Sequence, residues 1–144
     1  LADWIKETIG DDRGSKILQM DIEGAEYEVL SFEDHETIAS FSALIIEFHE
    51  LEKLFQSDFL RTVSSIFEKL YKRFSVCHVH PNNCCGVCEL GGITVPRVIE
   101  VTFIRNDLIP DCSTNDRIVL PNPLDSKNVT CNPDLIMPEI WWKS

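Results

Sequence analysis

The sequence has few basic residues for its acidic content. Thirteen Lys and Arg residues stand against 24 Asp and Glu residues, and the formal net charge is −11 at pH 7. Nucleic-acid binding needs basic patches that neutralise phosphate groups, so this composition argues against a nucleic-acid partner. The negative charge equally disfavours adhesion to an anionic membrane surface. No apolar run approaches the roughly 18 residues of a transmembrane helix, so we expect no membrane span in this chain.

Glycine is also scarce. The chain has six glycines, and no two of them form a G-x-G pattern. Such a loop after a strand lets the backbone approach the phosphate or sugar of a cofactor closely. What the sequence does have is an ordinary apolar fraction of 44% over 144 residues, which is enough for one core. We predict one domain over 1–144, with a core at 15–106 and an extended Pro-rich tail at 107–144.

The hydrophobic pattern predicts four strands, near residues 16–22, 43–48, 75–80 and 97–105. The first two are almost continuously apolar, which is typical of parallel strands covered on both faces. A helical segment joins them, and a longer helix at about 57–73 follows. The last two strands are joined by a loop without helical spacing, so they should be antiparallel neighbours. The fold class is therefore α/β, with parallel strands ending in an antiparallel pair.

One stretch concentrates acidic residues at the end of the first strand: Met20-Asp21-Ile22-Glu23-Gly24-Ala25-Glu26. In open α/β sheets, ligands bind at the carboxyl ends of the strands. Glycine at this point allows a close backbone approach, and acids suit a helix N-terminus. An ordinary strand-to-helix turn accounts for the same pattern. The second strand ends in Ile46-Glu47-Phe48-His49, so we predict that Asp21, Glu47 and His49 lie together at one edge.

The two strand ends resemble motifs of the FkbM-type S-adenosylmethionine-dependent methyltransferases. Asp21-x-Glu23-Gly24-x-Glu26 is similar to the family signature, and the Ile46–His49 ending is similar to the family's next strand. Weaker similarities follow in the right order: His78-x-His80-x-Asn82-Asn83, Pro96-x-x-x-Glu100-x-Thr102 and Leu120-Pro121-Asn122-Pro123-Leu124-Asp125. The resemblance covers about 15–135 and implies a partial class I methyltransferase sheet, which is Rossmann-like.

The resemblance also implies an activity and its residues. It implies methyl transfer from S-adenosylmethionine, most simply to oxygen, with a small-molecule or glycan-like acceptor. It assigns cofactor binding to Asp21, Glu23 and Gly24, and catalysis to Asp21, Glu47 and His49. Histidine suits the general base because its unperturbed pKa is about 6.5, although a structural histidine is an equal alternative for His49. Asp21 and Glu47 could share Mg²⁺, but two acids on adjacent strands are slim evidence, and we assign no metal.

The missing Gly-rich loop departs from the family pattern. We expect the chain to be the C-terminal portion of a methyltransferase domain, present as a fragment that lacks the cofactor loop. The alternative is a non-catalytic fragment or pseudo-enzyme that acts as a binding module.

Four of the six cysteines lie in one window, at Cys77, Cys84, Cys85 and Cys88. Disulfides, free thiols and, with His78 and His80 nearby, a zinc site are all compatible with this spacing. The even cysteine number and the glycosylation sequon at Asn128 favour the secretory pathway.

Overall fold

Six strands and four α-helices make up the fold in the computed structural model, which describes residues 1–10, 14–110 and 120–141. The strands are β1 (Ile17–Met20), β2 (Ala43–Phe48), β3 (Phe74–Pro81), β4 (Val87–Leu90), β5 (Ile93–Pro96) and β6 (Ile99–Arg105). The helices are α1 (Ala2–Ile9), α2 (Glu26–Phe32), α3 (His35–Ala39) and α4 (Ser57–Tyr71). Short 3-10 helices cover Leu51–Phe55, Asn106–Leu108 and Glu139–Trp141.

The central sheet has the strand order β1-β2-β6-β3. β1 and β2 are parallel, whereas β6 is antiparallel to both of its neighbours, β2 and β3. The predicted parallel pair and the predicted antiparallel pair are both confirmed. The insertion of β6 between β2 and β3 was not predicted, and it makes most of the strand pairings antiparallel. The fold is thus a mixed α/β fold.

Two predicted boundaries differ from the structure at the end of β1. The first strand was predicted to reach residue 22, and the following helix to begin at Glu23. The strand ends at Met20 because the backbone then enters a tight turn, with φ of 57° at Glu23 and 102° at Gly24. Helix α2 begins only at Glu26. The turn therefore places Asp21 and Glu23 beyond the strand, at the edge of the sheet.

The core lies on one face of the sheet. Leu44, Ile46 and Phe48 of β2 are buried and alternate with partly exposed residues. Phe67 of α4 stacks on both Phe48 and Phe103, so the helix covers this face. The prediction that β1 and β2 are covered on both faces is wrong for the described residues, because buried residues alternate with exposed ones along β1 and with partly exposed ones along β2. The other face, which carries Glu47, stays partly open to solvent.

A bulge at Cys77 changes the faces of β3. Val76 lies opposite Phe103 of β6, while His78 lies opposite the next residue, Thr102. Adjacent residues of a strand point to opposite faces, so Val76 and His78 do not share a side. Cys77 is the extra residue that shifts the register.

Residues 81–96 were predicted to be a loop, but they contain a hairpin. β4 and β5 pair antiparallel around Gly91 and Gly92. Both glycines have positive φ, of 59° and 79°, as a two-residue hairpin turn requires.

The C-terminal segment packs against the rest of the domain, and a buried amide side chain makes several of the contacts. The side chain of Asn83 is 4% exposed and donates to the carbonyl oxygen of Val129, while its Oδ1 accepts from the N–H of Val129. Asn132 donates in return to the backbone oxygen of Asn83 across 2.9 Å. Trp141 packs against the core and donates to the oxygen of Thr94. Trp142, in the tail predicted at 107–144, lies outside the described residues.

Candidate functional site

Three side chains that the sequence singled out meet at the carboxyl ends of β1 and β2. Asp21, Glu47 and His49 each offer one ligand atom, and these atoms all lie within 4.8 Å of one another. Asp21 follows β1, while Glu47 and His49 stand at the end of β2. Parallel neighbouring strands end at the same edge, which is why residues so far apart in sequence meet. Their predicted proximity is confirmed, and their catalytic and cofactor roles remain predictions.

The imidazole of His49 is the centre of this cluster. Its side chain is 13% exposed, and its Nε2 lies 3.7 Å from Oδ1 of Asp21 and 3.5 Å from Oε2 of Glu23. Both separations exceed the usual N–H···O hydrogen-bond length of about 2.7–3.2 Å. The Nε2 atom is therefore close to two carboxylates without a short hydrogen bond to either.

A buried carboxylate holds the other side of the imidazole. Glu26 is fully buried, and its Oε1 accepts from the backbone N–H of Ile22 at 2.9 Å and from Nδ1 of His49 at 3.0 Å. Its Oε2 accepts from the N–H of Gly24, also at 2.9 Å. Two backbone N–H groups and one imidazole nitrogen thus contact a single buried carboxylate. Sequence analysis treated Glu26 only as a helix-start acid and missed its contact with His49.

The turns after β1 and β2 carry unusual backbone conformations. Glu23 and Glu50 are non-glycine residues with φ of 57° and 56°, a left-handed region that costs roughly 1 kcal/mol or more for such residues. Gly24 has φ of 102°, and an added Cβ would lie 3.6 Å from the side chain of Glu50. The backbone angle, not crowding, is what requires glycine at this position.

Tyr27 holds the backbone at the end of β2 through a hydrogen bond. Its hydroxyl donates to the backbone oxygen of His49 across 2.5 Å. Burial raises the pKa of Tyr27 far above its ordinary value, and the carboxylates of Glu26, Glu50 and Glu52 raise it further. The phenol therefore stays protonated and remains a donor at physiological pH.

Asn82 orients the second carboxylate of the cluster. Its Nδ2 donates to Oε1 of Glu47 across 2.6 Å, and its Oδ1 accepts from the N–H of Cys84. In the sequence, Asn82 stood out only as part of the weaker similarity His78-x-His80-x-Asn82-Asn83. The contact joins β3 to β2 across the inserted strand β6, and the sequence pattern gave no sign of it.

The cysteine window does not converge on a metal site within the described residues. Cys84 and Cys85 form a disulfide, while Cys77, Cys88 and Cys131 are free thiols. Cys112 lies outside the described residues. Nε2 of His78 contacts Oδ1 of Asp125 at 2.8 Å instead of a thiol. Among the residues that the structure describes, the His, Cys, Asp and Glu groups close enough for a shared metal comprise the Asp21 cluster alone.

A cavity of about 450 Å³ lies at the opposite edge of the sheet. It is lined by Glu36, Ala39, Lys72, Arg73, Arg105, Asn106 and Asp107. This edge holds the amino ends of the parallel strands, away from the side where open α/β sheets bind ligands. We therefore place the candidate site at the Asp21 edge.

Within the described residues, no helix is long and apolar enough to cross a membrane. This agrees with the absence of a long apolar run in the sequence.

Comparison with known protein families gives a match over the first half of the chain. The family model of the methyltransferase FkbM domain matches residues 1–74, which is 74 of the 144 residues of the chain. The matched stretch contains both strand-end motifs and also residues 1–14, which the sequence resemblance had left out. The weaker similarities predicted between residues 75 and 135 lie beyond it. No curated protein and no solved structure matches the chain significantly. The chain, by the extent of the family match, belongs to the methyltransferase FkbM domain family.

Proposed function

We propose that this domain transfers a methyl group from S-adenosylmethionine to an oxygen of a small-molecule or glycan-like acceptor. Membership of the methyltransferase FkbM domain family supports the reaction class. The observation that carries the site is the convergence of Asp21, Glu47 and His49 at the ligand-binding edge of the sheet. Two acids and an imidazole at this edge match the needs of an acceptor whose hydroxyl must lose a proton.

Methyl transfer from a sulfonium is an in-line displacement. The enzyme gains most from holding donor and acceptor in contact, and next from removing the acceptor's proton as the new bond forms. Nδ1 of His49 donates to Glu26, so Nε2 is the atom free to take that proton. Asp21 lies beside it and stabilises the imidazolium that results.

The cofactor side of the site is proposed at the turn after β1. Asp21, Glu23 and Gly24 form this turn, where the positive φ of Gly24 brings the backbone close to the open edge. The parallel β1–β2 pair and the antiparallel β6 are compatible with the second part of a class I, Rossmann-like methyltransferase sheet. The acceptor would approach from the partly open face that carries Glu47.

Methyl transfer by the native protein that contains residues 1–144 tests this function. The assay supplies S-adenosylmethionine with a labelled methyl group and a panel of hydroxylated small molecules and glycans, and it measures labelled product and S-adenosylhomocysteine. D21N, E47Q and H49Q should each lower the rate by about 10²-fold or more, as loss of acid–base catalysis does.

The matched controls D58N, E68Q and H35Q alter exposed or remote groups of the same types and should keep the wild-type rate. Cofactor binding without any transfer would favour the alternative, a non-catalytic binding module. Equal loss in site variants and controls would contradict the assignment of the site.

A further inference from the structure

We propose that Asp21, Glu47 and His49 bind one divalent transition-metal cation, for which Mn²⁺ is the probe. Two carboxylates and one imidazole supply two oxygen ligands and one nitrogen ligand, and their donor atoms all lie within 4.8 Å of one another. The sequence suggested at most a shared carboxylate pair. The structure adds His49, two residues after Glu47 at the end of β2, as a third ligand.

The separations suit a shared cation better than they suit direct contacts. Nε2 of His49 and Oδ1 of Asp21 are 3.7 Å apart, too long for a hydrogen bond. With metal–ligand distances of about 2.1 Å, adjacent ligands of one cation lie about 3 Å apart and opposite ligands about 4.2 Å apart. The observed 3.7 Å falls inside that interval.

The tautomer of His49 directs a lone pair into this gap. The carboxylate of Glu26 already accepts from two backbone N–H groups, so we assign Nδ1 of His49 as the donor in their 3.0 Å hydrogen bond. In the neutral imidazole, Nε2 then presents a lone pair towards the oxygens of Asp21 and Glu23. Lone pair and carboxylate repel each other, and a cation between them converts this repulsion into coordination. Metal-bound histidines have this outer hydrogen bond to a carboxylate or carbonyl almost without exception.

The charges around Glu47 and the orientation of its carboxylate also favour a bound cation. Glu100 of β6 lies directly opposite Glu47 in the strand register, and like charges in that position destabilise a sheet. A bound cation would offset this repulsion. The amide of Asn82 holds Oε1 of Glu47 from outside, at 2.6 Å, and leaves the second carboxylate oxygen for a metal.

A mixed set of imidazole and carboxylate favours Mn²⁺ and its transition-row neighbours over Mg²⁺, which prefers oxygen ligands and retains its water. Three protein ligands leave positions open for oxygens of the acceptor. In this respect the inference rests on the proposed function, since a cation there would bind the acceptor's hydroxyl and lower its pKa. With the cation bound, Nε2 of His49 would be a ligand in place of the general base described above, and the proton of the acceptor would leave to solvent.

Direct binding of Mn²⁺ tests the site without cofactor or acceptor. Electron paramagnetic resonance of free Mn²⁺, titrated with the metal-stripped native protein at pH 7, should give one site per chain. D21N, E47Q and H49Q should each weaken binding at least tenfold. E26Q and N82A, which touch the ligands from outside, should weaken it about 10–100-fold. D58N, E68Q and H35Q are the matched controls and should bind as the wild type does.

The proposal would be overturned if no binding is seen up to about 1 mM Mn²⁺, the concentration range in which the weakest biological cation sites bind. Equal binding by site variants and controls would also overturn it, and so would several weak sites per chain. If E26Q fails to fold, N82A supplies the test of the outer contacts. Mn²⁺ binding without methyl transfer would refute the proposed function alone. Undiminished transfer by protein that binds no Mn²⁺ would refute the metal site alone.

Discussion

Nδ1 of His49 donates a 3.0 Å hydrogen bond to the carboxylate of Glu26, which is fully buried and lies 23 residues earlier in the chain. This contact joins the turn after β1 to the turn after β2, so it fixes the geometry of the whole candidate site. In E26Q, the amide replaces one acceptor oxygen by a donor and leaves a buried N–H group without a partner. We expect the unfolding free energy to fall by about 2–3 kcal/mol.

The more specific readout for E26Q is the tautomer of His49. In the wild type, ¹⁵N chemical shifts should show neutral His49 with its proton on Nδ1, and E26Q should shift this population towards Nε2. E28Q, on the exposed face of the same helix, is the control and should change neither stability nor tautomer. An unchanged tautomer in folded E26Q would show that Glu26 does not orient the imidazole.

The second prediction concerns the attachment of the C-terminal segment. N83A removes the amide that binds Val129 on both its N–H and its carbonyl group. Each lost hydrogen bond contributes about 1 kcal/mol, so local opening of this segment should become at least tenfold more frequent. Trypsin cleavage after the exposed Lys127 should accelerate by the same factor. N122A, at an exposed position of the same segment, should cleave at the wild-type rate, and equal rates for N83A would contradict the anchoring role.

How much of this fold the sequence predicts depends on how local the signal is. The strand at 43–48 was predicted to the residue because five of its six residues are apolar and its pattern is determined by its own side chains. The β4–β5 hairpin was missed although Gly91-Gly92 between two short runs is a hairpin signal. Each of its strands has only four residues and half of these eight residues are exposed, so hydrophobic alternation gave little support to that signal.

In the candidate site, too, some contacts can be predicted from the sequence and others cannot. The meeting of Asp21 and His49 follows from parallel strands ending at one edge, which the sequence could predict. The contacts of Glu26 and Asn82 depend on side-chain directions set by the positive φ of Gly24 and by the insertion of β6 between β2 and β3. Both are tertiary features, and local propensity does not encode them.

The third prediction concerns a lysine that caps a neighbouring helix. Nζ of Lys69, on α4, donates to the backbone oxygens of Leu30 and Glu33 at the end of α2. These carbonyls have no partner within their own helix, and hydrogen bonds to charged groups contribute about 1.5–3 kcal/mol. K69M should lower the unfolding free energy in urea by that amount. K6M, an exposed lysine on α1, is the control; equal midpoints for K69M and the wild type would contradict the capping role.

The fourth prediction concerns the free edge of β1. In the described residues β1 pairs only with β2, and Ile17 at its start is 66% exposed. Unpaired strand edges template association with another chain. The 144-residue chain should therefore self-associate in sedimentation equilibrium as its concentration rises, and I17K should weaken this because charges on both copies would meet. L60K, at an exposed position of α4, should not. A wild-type chain that stays monomeric at every concentration would contradict the prediction.

The last prediction concerns cofactor binding by the 144-residue chain itself. The proposed contacts to S-adenosylmethionine come from Asp21, Glu23 and Gly24, and the sequence has no G-x-G loop to add to them. Two or three missing hydrogen bonds to polar or charged groups, each contributing on the order of 1–3 kcal/mol, lower affinity by orders of magnitude. Calorimetric titration should therefore detect weak binding or none, and D21N should abolish whatever remains while D58N should not. Micromolar binding that D21N leaves unchanged would place the cofactor elsewhere and would assign a part in binding to residues 1–14, which the family match includes.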